Sequence, residues 1–188
     1  MKSYAETYFA WIAGGDAPDG SRWAQLEDAV NAFVNVLETT DQEELVSVAS
    51  FSSSATLDLD LELNYTLIRD LVEDTRPYGG TAIGKGMQEG LPSLLDAARA
   101  RPFASKTIVI LTDGMNNYSP YPDNVAEDIV ADHNVTIHTV TFSPGADQTS
   151  MQEVAAIGHG RHYHANTGNE LVEIFEEIAN NLPTILTE

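Results

Sequence analysis

The stretch that most constrains this fold is 107–112 (TIVILT), the most apolar strand-like run of the chain, closed by Asp113-Gly114. It shows no alternation of apolar and polar residues, so neither of its faces is meant for water. Such a run suits a parallel strand covered on both sides by helices. A chain holding one has to supply the covering helices and further parallel strands from its remaining sequence.

The rest of the chain alternates helical and strand periods. Residues 21–38 read as a helix with Trp23, Leu26, Val30, Phe33, Val34 and Leu37 on one face, and Ser21 is a candidate N-cap after the turn Pro18-Asp19-Gly20. Strand patterns at 44–51 and 55–63 flank the short polar turn 52–54 and predict an antiparallel hairpin. In the second of them apolar residues alternate with acidic ones, which marks one wet face. Helices are predicted at 65–75, 83–100, 124–132, 149–157 and 169–181, with strands at 135–142 and 161–165. This order predicts an α/β doubly wound sheet with helices on both faces. In such folds ligands sit at the carboxyl ends of the strands. Here those ends are the loops after Phe51, Thr112 and Phe142, together with the glycine loop 79–86.

Composition narrows the partners. The 188 residues suit one domain, 1–188, with 1–20 as an atypical N-terminal segment. With 29 acidic side chains against 9 Lys+Arg the net charge is −20, which repels nucleic acid and anionic membrane surfaces. No apolar run approaches the ~20 residues of a membrane span, so no direct membrane insertion is expected and the chain reads as soluble. The absence of cysteine removes disulfides, thiolate metal sites and cysteine nucleophiles.

Several motifs invite chemistry. GGTAIGK at 79–85 approaches a phosphate loop, but Gly86 stands where Ser or Thr is needed and no buried strand precedes it. Close packing and turn geometry explain its glycines better. Thr81 and Asp113 are hard oxygen ligands of the kind magnesium or manganese takes. Spacing alone also allows Thr81 to be a helix N-cap and Asp113 to serve its own Asp-Gly turn. His162 and His164 share one strand face with His159 nearby, which suggests zinc, yet ordinary polar strand residues fit as well. His138 reads as a hydrogen-bonded core or edge histidine. Tyr4, Tyr8, Phe9, Trp11 and Ile12 make an aromatic N-terminal segment.

SRWAQLEDAVNAFVNVL, GGTAIGKGM, TIVILTDGMNN and TIHTVTFSPGADQTSMQEVAAIGHGRHYHAN, in that order, resemble a von Willebrand factor type A domain over nearly the whole chain. The tail is similar to bacterial members associated with Tad-type pilus assembly proteins. The resemblance implies a mostly parallel sheet with one antiparallel edge strand. It also implies a metal-ion-dependent adhesion site built from three loops, carrying DxSxS, a Thr and an Asp. Thr81 then takes the second role as a direct ligand of Mg2+ (or Mn2+ or Ca2+). Asp113 takes the third, through water, and a partner protein's acidic side chain completes the sphere. The implied function is a non-catalytic protein–protein interaction or adhesion module, extracytoplasmic or at the cell surface. The alternatives are a magnesium-dependent phosphohydrolase using Asp113, or a structural domain without an ion.

One departure stands out: no DxSxS precedes the first helix. One expectation is that Met1 stands at or near the final Met of that motif, with the central first strand and first metal loop missing from the chain. The other is that 7–13 (TYFAWIA) replaces the strand and that Asp16, Asp19 and Ser21 form a degenerate loop. Loss of the central strand would unpair the facing edges of 44–51 and 107–112 and invite a strand-exchanged oligomer. It would also leave magnesium binding weak or absent.

Overall fold

The computed structural model describes residues 20–75, 79–101 and 104–182. Helix α1 spans Arg22–Leu37, followed by β1 (Val46–Phe51), β2 (Ala55–Glu62) and α2 (Tyr65–Asp74). Then come α3 (Ile83–Leu95), β3 (Lys106–Thr112), α4 (Pro122–Asp132), β4 (Val135–Phe142), α5 (Gln148–Ile157), β5 (His159–Ala165) and α6 (Gly168–Asn180). Strands β1 and β2 pair antiparallel, as the hairpin pattern predicts, while β3, β4 and β5 form a parallel sheet in that order.

Helices cover both faces. On one side α3, α4 and α5 bury Ile83, Met87, Val125, Ile129, Met151 and Val154 against Ile110 and Ile137. On the other, α1 and α6 pack together over Val140 and Phe142, with Phe33 edge-on to Phe175 at a ring separation of 6.2 Å. Ser21 caps α1 as expected, its hydroxyl accepting from the Ala24 amide at 3.1 Å.

Some boundaries move for local reasons. Helix α3 stops at Leu95 rather than 100, because the Asp96 carboxylate accepts from the Ala98 amide at 2.9 Å and draws the chain into a turn. Helix α4 starts two residues early, with Pro122 at its first position, where a missing N–H costs nothing. Strand β5 starts at His159, because Gly160 lets its backbone lie directly against the Ile137 carbonyl, where a Cβ would not fit.

The most buried strand is β4, not the more apolar β3. Ile137, Thr139, Val140 and Thr141 are fully buried, whereas most of β3 is only half-buried. Strand β4 has partners on both edges; among the described residues β3 is bonded to β4 alone. The other edge of β3 faces β1, and among the described residues no strand lies between them. The two edges and the helix layers above and below enclose an apolar slot of about 1510 Å3, lined among others by Ala49, Phe51, Ile108, Ile110, Phe33 and Met87. The candidate first strand 7–13 lies outside the described residues, as do Asp16 and Asp19.

Candidate functional site

The carboxyl ends of β1, β3 and β4 deliver three loops to one rim, and the chain ahead of α3 brings a fourth. Thr81 lies in that fourth loop, between Gly79, whose φ is 86°, and the start of α3. Asp113 follows β3 directly. Their loops are in contact: a Cβ placed on Gly114 would lie 3.2 Å from the Thr81 hydroxyl oxygen.

Two asparagines hold the loops together. The Asn116 side chain accepts from the Ile83 amide at 2.9 Å and donates to the Tyr118 carbonyl at 2.7 Å. Asn117 accepts from the Thr81 amide at 3.1 Å through its side chain and donates its own amide to the Thr81 carbonyl at 2.7 Å. The sequence reading missed both. The Asn-Asn pair just past Asp-Gly was the available signal, since Asn side chains can serve a helix N-terminus from a distance.

This clamp answers both local explanations. The N-cap of α3 is Ala82, with no side-chain cap bond, and the Ile83 amide is served by Asn116. Thr81 is therefore not spent as the cap. The Asp113-Gly114 turn uses the Thr112 hydroxyl, which accepts from the Gly114 amide at 3.3 Å. The Asp113 carboxylate instead accepts from Arg22 Nη1 at 3.0 Å. Both groups of that pair are more than half exposed, so it contributes at most about 1 kcal/mol.

A second support comes from β4. Ser143, buried at the end of that strand with φ of 90°, donates its hydroxyl to the Asp113 carbonyl at 3.3 Å. A non-glycine residue in that region is strained, and the fold holds it where it braces the Asp113 loop.

The glycine loop packs rather than cradling phosphate. Gly80 lies under the Tyr118 ring and Gly84 against the Pro120 carbonyl, where a Cβ would collide in each case. Lys85 donates to the Ser53 carbonyl at 2.9 Å and stands 5.2 Å from the Tyr118 ring centre. Its charge pins the loop after β1 to the Thr81 loop.

His162 and His164 do share a face, as their spacing predicts. His162 Nδ1 lies 2.9 Å from the Thr139 hydroxyl and His164 Nδ1 2.9 Å from the Thr141 hydroxyl. Thr139 in turn donates to the Met151 carbonyl at 2.8 Å, tying the pair to α5. Burial, then the neighbouring His164, pushes the His162 pKa down. His138, whose Nδ1 accepts from the Arg161 amide at 3.0 Å, is likewise pushed down by burial. Among the described residues no group of three or more His, Cys, Asp or Glu is placed to hold a metal. The donors at the rim are thus a hydroxyl and one carboxylate. Both are oxygen donors of the kind a hard cation takes.

Residues 16–177 match the family model of the von Willebrand factor type A domain. The chain belongs to that family. A curated relative from Synechocystis sp., the uncharacterized protein sll0103, is 23% identical over 163 residues, or 85% of the chain, which spans 38% of that relative's length. Among solved structures, proximal thread matrix protein 1 of the mussel byssus superposes with a TM-score of 0.67 at 19% identity, over 84% of this chain and 41% of its own. A structure of the same mussel protein with a zinc-occupied adhesion-site motif gives 0.64 at 18% identity, over 82% of this chain and 39% of its own. At these identities the structural likeness shows the fold, and the fold is the doubly wound one the sequence predicts. Domains of this family are in general non-enzymatic interaction modules, and some hold a divalent ion. Among the described residues no helix is long and apolar enough to cross a membrane.

Proposed function

We propose that this von Willebrand factor type A domain is a protein–protein interaction module whose binding face is the rim around Thr81 and Asp113. The observation that carries the reading is the release of both side chains from local duties. Asn116 serves the start of α3, Thr112 serves the Asp-Gly turn, and the two oxygen donors are left presented on adjacent loops. A divalent ion bound there, Mg2+ or Mn2+, would supply the positive charge that joins a partner's acidic side chain to a protein of net charge −20.

The surface beside the donors fits a protein partner. Three of the five exposed large hydrophobic side chains among the described residues, Met115, Tyr118 and Tyr121, lie in the loop after Asp113. From Gly114 to Tyr121 that loop carries no charge. Uncharged surface rich in aromatic residues and Met is typical of the centre of an interface. A role in a bacterial surface or pilus-assembly protein follows from the resemblance of the tail and is part of the proposal.

The phosphohydrolase reading needs a lysine and a second acid converging on Asp113. Lys85 is instead tied to Ser53, and the cation at Asp113 is Arg22.

Calorimetric titration with magnesium and manganese tests the site, together with pull-downs in either ion or in EDTA. We expect weak divalent binding in the parent chain, lost in Thr81→Ala and Asp113→Ala, and divalent-dependent capture of a partner lost in the same variants. Tight binding or divalent-dependent capture that survives both substitutions would overturn the proposal.

A further inference from the structure

We propose that His164 is a proton-operated positioning residue for the rim. Its ring exchanges partners between α5 and α6 as it gains or loses a proton, and the loop carrying Asp113 follows. The consequence for binding rests on the rim being the binding face; the exchange of partners does not.

One ring nitrogen faces two groups with opposite needs. His164 Nε2 lies 3.3 Å from the Gln148 side-chain nitrogen and 3.1 Å from the Asn166 side-chain oxygen. An amide nitrogen only donates, so it needs a bare lone pair on Nε2. An amide oxygen only accepts, so it needs an N–H there. The other ring nitrogen is committed. Thr141 donates its hydroxyl to the Tyr163 carbonyl at 3.3 Å and so accepts from His164 Nδ1 at 2.9 Å. The neutral ring therefore keeps its proton on Nδ1 and holds Gln148. The cationic ring has a second proton on Nε2, which gives up Gln148 and donates to Asn166.

Charge favours the same exchange. Glu170, in the first turn of α6, accepts from the Asn166 amide at 2.7 Å and from its side-chain nitrogen at 3.5 Å. A negative charge thus stands behind the oxygen that the cationic ring takes up. The other titratable groups around the ring do not compete for it. On α5, Asp147 is spent on the helix cap, accepting from the Ser150 amide at 3.1 Å, and Glu153 is exposed. Glu173, Glu176 and Glu177 of α6 are exposed as well. His138 of β4 lies beside Tyr163 instead, and His162 of β5 is turned to Thr139.

The start of α5 reaches the rim. Gln148 is its first residue, and the loop 143–147 ahead of it is tied on two sides. Ser143 donates its amide to the Ala165 carbonyl, next to His164, at 3.0 Å and its hydroxyl to the Asp113 carbonyl at 3.3 Å. The Asp147 amide donates to the Gly114 carbonyl at 3.5 Å. Holding Gln148 keeps this loop seated against Asp113-Gly114, and releasing it loosens the seat. Histidines change charge between about pH 5 and 8, so acidification through that range weakens the rim.

NMR titration of the full chain across that range tests the exchange. Ring nitrogen shifts should place the neutral proton of His164 on Nδ1. The amide shifts of Gly114, Asp147 and Gln148 should follow the His164 titration curve in the parent and in His162→Gln, and should not follow it in His164→Gln. In Gln148→Ala, His164 should still titrate while Gly114 no longer follows, which a merely structural histidine would not produce. Gly114 and Asp147 amides that ignore His164, or that follow it equally in Gln148→Ala, overturn the proposal. Magnesium calorimetry at the two ends of the range tests the consequence. Affinity should fall several-fold more on acidification in the parent than in His164→Gln. An equal fall in both overturns the link to binding. Coupled shifts in a chain that binds no divalent ion support the exchange of partners and overturn the divalent reading of the rim.

Discussion

The two halves of the sheet are built from similar sequence and reach different states. In β4, six of eight residues are fully buried; in β1, none of the six is. The strands differ little in apolar content: VTIHTVTF even carries a histidine and three threonines, while VSVASF has none of either. What separates them is position. Strand β4 is bonded on both edges and roofed on both faces, so its threonines are desolvated and satisfied by Met151, His162 and His164. Among the described residues β1 is bonded to β2 alone, and its other side lines the slot. Burial here follows pairing more than composition.

The sharpest way to break that contrast is to cut cavities in both halves. Ile137→Ala, at a fully buried position, should cost about 2–5 kcal/mol in urea unfolding. Val48→Ala, in a half-buried strand, should cost about 1 kcal/mol. Equal costs would show that the slot side is as tightly packed as the β4 side.

Asn116→Ala comes next. It removes the acceptor for the Ile83 amide and the donor to Tyr118, so a loss of about 1–2 kcal/mol is expected. Partner capture at the rim should fall with it. Met115→Ser and Tyr121→Ser should leave stability within about 0.5 kcal/mol of the parent and weaken capture alone. A large stability change in these two would place them in the core rather than on a binding face.

The pH response also divides the molecule. His138 and His162, both on the β4–β5 side, have pKa values pushed below the ordinary 6.5 by burial. Below 6.5 the unfolded chain takes up protons at these rings before the folded chain does, so stability falls as the pH drops through that window. Glu38 and Glu170, lowered by Arg69 and by the Asn166 amide respectively, contribute stability that is lost only below the ordinary 4.5. A thermal midpoint that declines from pH 6.5 downwards, and less so in His162→Gln, is the expected result. A flat midpoint between pH 6.5 and 5 would remove the histidines from the account.

The effect of removing the rim's ion pair is also expected to be small. Arg22→Ala should change stability by less than about 1 kcal/mol and slightly strengthen divalent binding at low salt, because the guanidinium competes for the Asp113 carboxylate. Weaker divalent binding in that variant would show that Arg22 helps to build the site.

The sequence by itself settled what local rules can settle. The helical stripe of α1, its Ser21 cap, the β1–β2 hairpin and the βα alternation from 107 onwards are periodicities and turn signals a few residues long, and the fold follows them. Spacing also placed Thr81 just ahead of a helix and Asp113 at the end of a strand. Tertiary structure alone decided whether those two side chains were needed locally, because the answer lies with Asn116 and Asn117, more than thirty residues from Thr81 in sequence. It also decided that β4 rather than β3 is the most buried strand. The number of bonded edges a strand has is set by its neighbours in space, and no window of its own sequence records it.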